Sequence, residues 1–224
     1  MEYRESNNKV NVVGTIVEPI RYDHESYGTI FYRFTISVPR FSGNEDKILV
    51  MAASKFIEGD EYTIGDELMI TGQYRSFNDI SSGRSKLILT LFAKSINYYC
   101  SDDSEPIKNS IYLNGFVCKK PIYRTTPFGR EIADILVAVN RGFNKSDYIP
   151  VIAWGYNARK AQGIMVGDNI QIWGRIQSRS YFKTISETEA EECTAYEVSA
   201  NRIEINMPRQ SDDYMLAVNP NKVL

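Results

Sequence analysis

Residues 148–181 read YIPVIAWGYNARKAQGIMVGDNIQIWGRIQSRSY. The Val, Ile and aromatic content of 148–154 predicts a strand. The Ala, Arg, Lys and Gln of 156–164 predict a short helix closed by Gly163 or Gly167, and 169–182 return to a long strand. Working outward, 110–119 and 130–141 before this stretch and 194–205 after it are rich in Val, Ile and Tyr and punctuated by Gly, Pro or Asn, as strands are. The order is strand, strand, strand, helix, strand, strand.

The same order occurs twice. At a shift of 101, Gly14 falls on Gly115, Tyr27-Gly28 on Phe128-Gly129, Val38 on Val139, Arg40 on Arg141 and Ile48 on Ile149. One residue more brings Gly65-Asp66 onto Gly167-Asp168 and Gly72 onto Gly174, and LFAKSI (Leu91 to Ile96) matches VSANRI (Val198 to Ile203). A period this long marks a duplicated domain, not a solenoid. The first copy predicts strands at 9–18, 29–39, 47–53, 67–77 and 86–96, with a short helix near 55–62. The polar stretch 101–107, SDDSEPI, is the expected linker. This divides the chain into an N-terminal domain at 1–100, a C-terminal domain at 108–206 and a tail at 207–224. Five short strands with one helix between the third and fourth is the order of the oligonucleotide-binding (OB) barrel, so the predicted class is all-β: two tandem five-stranded Greek-key OB barrels.

The run 148–181, with its aromatic-glycine pair, short helix, Gly-containing turn and closing GRIQSRSY, resembles the bacterial single-stranded-DNA-binding proteins. YLNGFVCKKPIYRTTPFGREIADILVAVNR, Tyr112 to Arg141, resembles the opening of the same family. The resemblance covers about 109–206 and, more faintly, 8–98. It implies that Phe143, Tyr148, Trp154 and Tyr181 occupy base-stacking positions, and that the protein coats exposed single strands without sequence preference during replication, recombination or repair. By the same analogy, two-barrel members pair into homodimers with four barrels.

The residues supply such a surface independently. Alternate residues of a strand face opposite ways, so in the fourth strand of the second copy Ile170, Ile172 and Ile176 share one face while Trp173, Arg175, Gln177, Arg179 and Tyr181 share the other. Rings beside guanidiniums are what an unpaired strand needs: flat surfaces for bases and positive charge for phosphates. Tyr148 and Trp154 likewise share a parity, and Arg141 and Lys183 are further candidates to hold the backbone. Residues 107–184 carry 12 basic side chains against 4 acidic ones. Glu187, Glu189, Glu191 and Glu192 are expected to cap a long hairpin. In the first copy the counterparts of Tyr148, Trp154, Trp173, Arg175, Arg179 and Tyr181 are Lys47, Ala53, Thr71, Gln73, Phe77 and Asp79, so the binding face is degenerate there. Phe41, Phe77, Arg75 and Arg84 leave at most a weak groove, in a half carrying 11 basic against 16 acidic residues. That balance favours a second reading, a primosome-like or phage accessory barrel acting mainly by docking other replication or repair proteins.

At 224 residues and 43% hydrophobic, the chain can bury two small cores. It lacks a run of about 18 apolar residues and begins MEYRESNNK, so no membrane span or signal peptide is expected, and a cytoplasmic location fits. Three cysteines without a CxxC pair and one histidine, His24, offer neither a metal site nor a disulfide framework. With no nucleophile elbow, HExxH or P-loop, a binding protein without cofactor is expected rather than an enzyme. The tail lacks the acidic tip ending in Pro-Phe with which typical family members recruit partner enzymes, and Asp212-Asp213-Tyr214 is its nearest echo.

Overall fold

The computed structural model describes residues 6–40, 42–59, 61–79, 86–100, 108–184 and 190–206; the side chains of 181–184 and 190–193 are outside that description. The expected linker, the tail, Phe41, Arg84, Glu187 and Glu189 therefore lie outside the described residues. The N-terminal half folds as β1 (Asn8–Ile16), β2 (Arg21–Ser26), β3 (Thr29–Pro39), β4 (Glu45–Ala53), β5 (Glu67–Asp79) and β6 (Lys86–Tyr98). The C-terminal half repeats it as β7 (Asn109–Val117), β8 (Ile122–Thr125), β9 (Glu131–Arg141), β10 (Lys145–Trp154), α1 (Tyr156–Ala161), β11 (Asn169–Thr184) and β12 (Ala190–Asn206).

All the strands form one sheet, in the order β2-β3-β4-β6-β5-β1-β7-β11-β12-β10-β9-β8. Adding six to each strand number of the first half gives the second half in reverse, so the order is a palindrome about the β1–β7 junction. Extra pairings of β1 with β3 and of β7 with β9 close each half into a barrel, and a parallel contact joins β4 to β6 and β10 to β12. The protein is all-β, with two tandem OB barrels.

Two expectations are corrected. Each barrel carries a sixth strand, β2 or β8, pairing only with β3 or β9. RYDHES and IYRT are short, polar and mostly exposed, so they lack the apolar alternation that marks a strand with a buried face. Among the described residues of 55–62 the first barrel also has no α-helix, only a three-residue 3₁₀ turn, Ser54–Phe56. In the second barrel Ala158 and Ala161 bury against the core and hold α1 in place. The first has no such alanines, and Gly59 at φ +106° ends the turn.

Side-chain alternation builds both cores. Ile36, Ile48, Val50, Leu68, Ile70 and Leu91 in one barrel, and Leu113, Ile149, Ile170, Ile172 and Ile176 in the other, are fully buried. Gly72 and Gly174, one residue beyond the common shift, stand at matching irregularities of register, between Thr71 and Gly72 and between Trp173 and Gly174. A Cβ at either would lie 2.2 Å from a backbone carbonyl oxygen, of Phe92 or Ser199, so only glycine lets the paired strands approach at the irregularity.

The barrels join through β1 and β7, which run antiparallel from Asn8↔Leu113 to Val12↔Asn109. Val10 pairs with Ile111, its own counterpart at the shift of 101, and both are buried. A pseudo-twofold axis therefore passes through this pair.

Candidate nucleic-acid interface

Strand β10 and the β9–β10 turn carry the open rings of the second barrel. Burial along β10 alternates: Asp147, Ile149, Val151 and Ala153 face inward, whereas Tyr148 and Trp154 face outward at 48% and 36% exposure. They stand six positions apart, roughly 20 Å along the strand. At the turn Phe143 is 98% exposed, with φ at +61°, a backbone region that bulky residues rarely occupy. Lys145, next on this hairpin, is exposed, and so is Tyr156 at the start of α1. Neither was singled out from the sequence; Lys145 sits two residues past Phe143 and Tyr156 two past Trp154, a proximity that could have drawn attention to them.

Strand β11 departs from the expected open face. Its inward set, Ile170, Ile172 and Ile176, is as predicted. On the other face Trp173 is half-buried, its ring 5.2 Å from that of Tyr112 and 4.8 Å from the Arg202 guanidinium. Gln177 is buried and donates to Glu197 at 3.0 Å. Arg175 turns into the seam between barrels, where it donates to Asp46 at 2.6 Å and to Gln177 at 2.8 Å. Arg175, expected as a phosphate ligand, is thus already held by a buried carboxylate from the other barrel. Arg141 is likewise drawn to the buried Asp147, at 3.4 Å. Arg179 is exposed and its charge acts on Glu197, whose carboxyl burial pushes above the ordinary range. Tyr181 and Lys183 lie on β11, opposite Cys193 and Glu191, with side chains outside the described residues.

The seam itself is built twice, once on each side of the pseudo-twofold. Ser178 Oγ accepts the Lys47 backbone N–H at 2.8 Å, and the Ser178 N–H donates to Asp46 at 2.8 Å. On the other side Ser76 Oγ accepts the Tyr148 N–H at 2.7 Å, and the Ser76 N–H donates to Asp147 at 2.9 Å. The two clasps differ in charge. Asp46 receives both Arg40 and Arg175, and Arg40 also donates to the Ser178 carbonyl at 2.8 Å. Asp147 has Arg141 alone within ion-pair distance among the described residues, because the counterpart of Arg175 is Gln73, which accepts from Arg75 at 3.0 Å. Burial accordingly raises the pKa of Asp147 above the usual carboxylate value, and the backbone bond from Ser76 and the charges of Arg141 and Arg75 only partly oppose it.

In the first barrel the β4 positions that match Tyr148 and Trp154 carry exposed Lys47 and buried Ala53, and Phe77 is an exposed aromatic on β5. The guanidinium of Arg75 lies 3.6 Å over the ring of Phe92, and burial lowers its pKa. Among the described residues no group of three or more His, Cys, Asp or Glu side chains is arranged to hold a metal, and no helix is long and apolar enough to cross a membrane.

Residues 108–206 match the model of the single-strand binding protein family. A Bacillus subtilis protein named single-stranded DNA-binding protein B is 34% identical over 80 residues, which are 33% of this chain and 71% of that one. The single-stranded DNA-binding protein of Clostridium tetani is 39% identical over 80 residues, 33% of this chain and 55% of the relative. The match to a Clostridium acetobutylicum relative spans 56% of its length, so the chain covers little more than half of these clostridial proteins. Among solved structures, the wild-type single-stranded DNA binding protein of Thermus aquaticus superposes with a TM-score of 0.70 at 19% identity, covering 92% of this chain and 95% of that one, which establishes a shared fold.

Proposed function

The chain belongs to the single-strand binding protein family, and we propose that it binds single-stranded DNA through its C-terminal barrel without reading sequence. One observation carries this reading: Phe143, Tyr148 and Trp154 stand outward along one hairpin and strand, on a half of the chain with excess positive charge. Bases of any identity stack on such rings, and exposed Lys145 and Arg179 supply charge for phosphates. Tyr181 and Lys183 are proposed to extend the track. Trp173 serves as a brace held by Tyr112 and Arg202, and Arg175 and Arg141 as seam residues. A barrel of this kind covers roughly 4–16 nucleotides. Strand-coating in replication, recombination or repair, a homodimer of four barrels and a cytoplasmic site of action are part of the proposal. So is the division into domains at 1–100 and 108–206, joined by 101–107.

The first barrel supports a second role for itself. Without rings on β4, and in a half with five more acids than bases, it suits scaffolding or protein docking better than DNA.

Titration of the full chain with oligo-dT at low salt tests the reading. The chain has two tryptophans. In a Trp173→Phe variant the emission of Trp154 alone should be quenched as the oligonucleotide binds. Emission and oligonucleotide anisotropy that both stay unchanged would overturn it.

A further inference from the structure

We infer that Ser76, in the barrel without a ring platform, is a positioning residue for the DNA-binding face of the other barrel. The inference rests on the proposed role of Tyr148. Ser76 is buried on β5 and reaches across the seam with both of its polar groups: its hydroxyl oxygen accepts the Tyr148 N–H, and its own N–H donates to Asp147. Both bonds land on consecutive residues of β10, just after the hairpin that presents Phe143, and Arg141 at the end of β9 closes on the same carboxylate. One serine therefore fixes the register between the first barrel and the strand that carries the stacking rings.

The clasp on the other side of the pseudo-twofold shows why this contact bears on binding. Ser178 does for Lys47 what Ser76 does for Tyr148, but Lys47 belongs to the ring-free face and its clasp is tightened by two arginines on Asp46. On the Tyr148 side the carboxylate holds one arginine at 3.4 Å, so the serine hydrogen bonds carry more of the alignment. A ring that stacks on a base contributes in proportion to how much of its orientation is settled before the base arrives. Duplication has thus left the first barrel a part in binding without a binding face of its own.

The test compares oligo-dT affinity of full-length Ser76→Ala, Ser76→Thr and Ser178→Ala chains. Ser76→Ala should bind about three- to tenfold more weakly, the effect of losing one hydrogen bond. Ser76→Thr keeps the hydroxyl and should return to within about twofold of wild type, and Ser178→Ala should also stay within about twofold. In a Tyr148→Ala background, Ser76→Ala should add less than about twofold, because the ring it positions is gone. Equal losses from both serine variants, or full additivity with Tyr148→Ala, would mark a purely structural role and overturn the inference. Should Ser76→Ala not fold, the Tyr148 amide of the wild-type chain decides: slow hydrogen exchange supports the clasp, and exchange as fast as an exposed loop overturns it. If the wild-type chain itself fails to bind oligo-dT, the reading of the function falls; if it binds and Tyr148→Ala weakens it while Ser76→Ala does not, the positioning role falls alone.

Discussion

Val10 and Ile111 face each other across the junction between barrels, and each occupies the other's place in the duplicated sequence. An antiparallel pair can set a residue against its own counterpart only on a twofold axis, so the two barrels are arranged as the halves of a symmetric dimer would be. Asp46 and Asp147, 101 residues apart, consequently enter the two ends of the same seam and accept equivalent backbone N–H groups, of Ser178 and Ser76.

Asp46→Asn should destabilise the fold by about 3–5 kcal/mol, the usual cost of breaking a buried ion pair. The carboxylate is 1% exposed and holds Arg40 and Arg175 together, so its loss leaves two half-buried guanidiniums without the negative charge that pairs them. Urea denaturation of the full chain measures this, with the loss appearing as a lower midpoint.

Asp147 carries a pH dependence of defined sign. Its pKa is raised by burial, so the folded chain binds this proton more tightly than the unfolded chain does. The stability contributed is full at pH below the ordinary aspartate range and is lost as pH rises through the raised value. Unfolding free energies of wild type minus Asp147→Asn should therefore fall as pH rises above the ordinary aspartate range. A difference that rises across that window would contradict the burial-dominated environment.

Tyr148→Ala, Trp154→Ala and Phe143→Ala should each weaken oligo-dT binding by about 1–3 kcal/mol, the worth of one stacked base. Trp173→Phe should leave affinity within about twofold, since that ring is half-buried and already in contact with Tyr112 and Arg202. Fluorescence titration separates the two groups.

The salt dependence of binding sorts the basic side chains. Each phosphate neutralised steepens the slope of log affinity against log salt by about 0.7. Lys145→Ala should make the slope shallower by about that amount. Arg175→Ala should leave it unchanged while lowering the unfolding midpoint, because its charge is already matched by Asp46.

Gly72→Ala and Gly174→Ala should each cost about 1–3 kcal/mol, the penalty for forcing extra atoms into a packed site. The new methyl carbon would stand 2.2 Å from the carbonyl of Phe92 or Ser199. Equal losses at both positions, measured by urea denaturation, would reflect the shared geometry of the two register irregularities.

Period-two alternation is a local property, and for that reason the core faces of β10 and β11, the duplication and the barrel class were legible from residues alone: Ile170, Ile172 and Ile176 point inward because a strand allows nothing else once one face is apolar. The outward placement of Tyr148 and Trp154 was legible for the same reason. Parity also assigned Arg175 to the outward face, correctly, but could not tell what stands against that face. In the folded chain Asp46, 129 residues away, occupies it and takes the guanidinium. The edge strands β2 and β8 escaped notice because their partners lie on one side only and leave no buried stripe in the sequence. Spacing along the chain thus settled which residues point in and which point out, since backbone geometry dictates it residue by residue. Which outward groups remain open to a ligand was settled only when the two barrels closed on each other about Val10 and Ile111, because burial by a distant segment depends on where folding brings it.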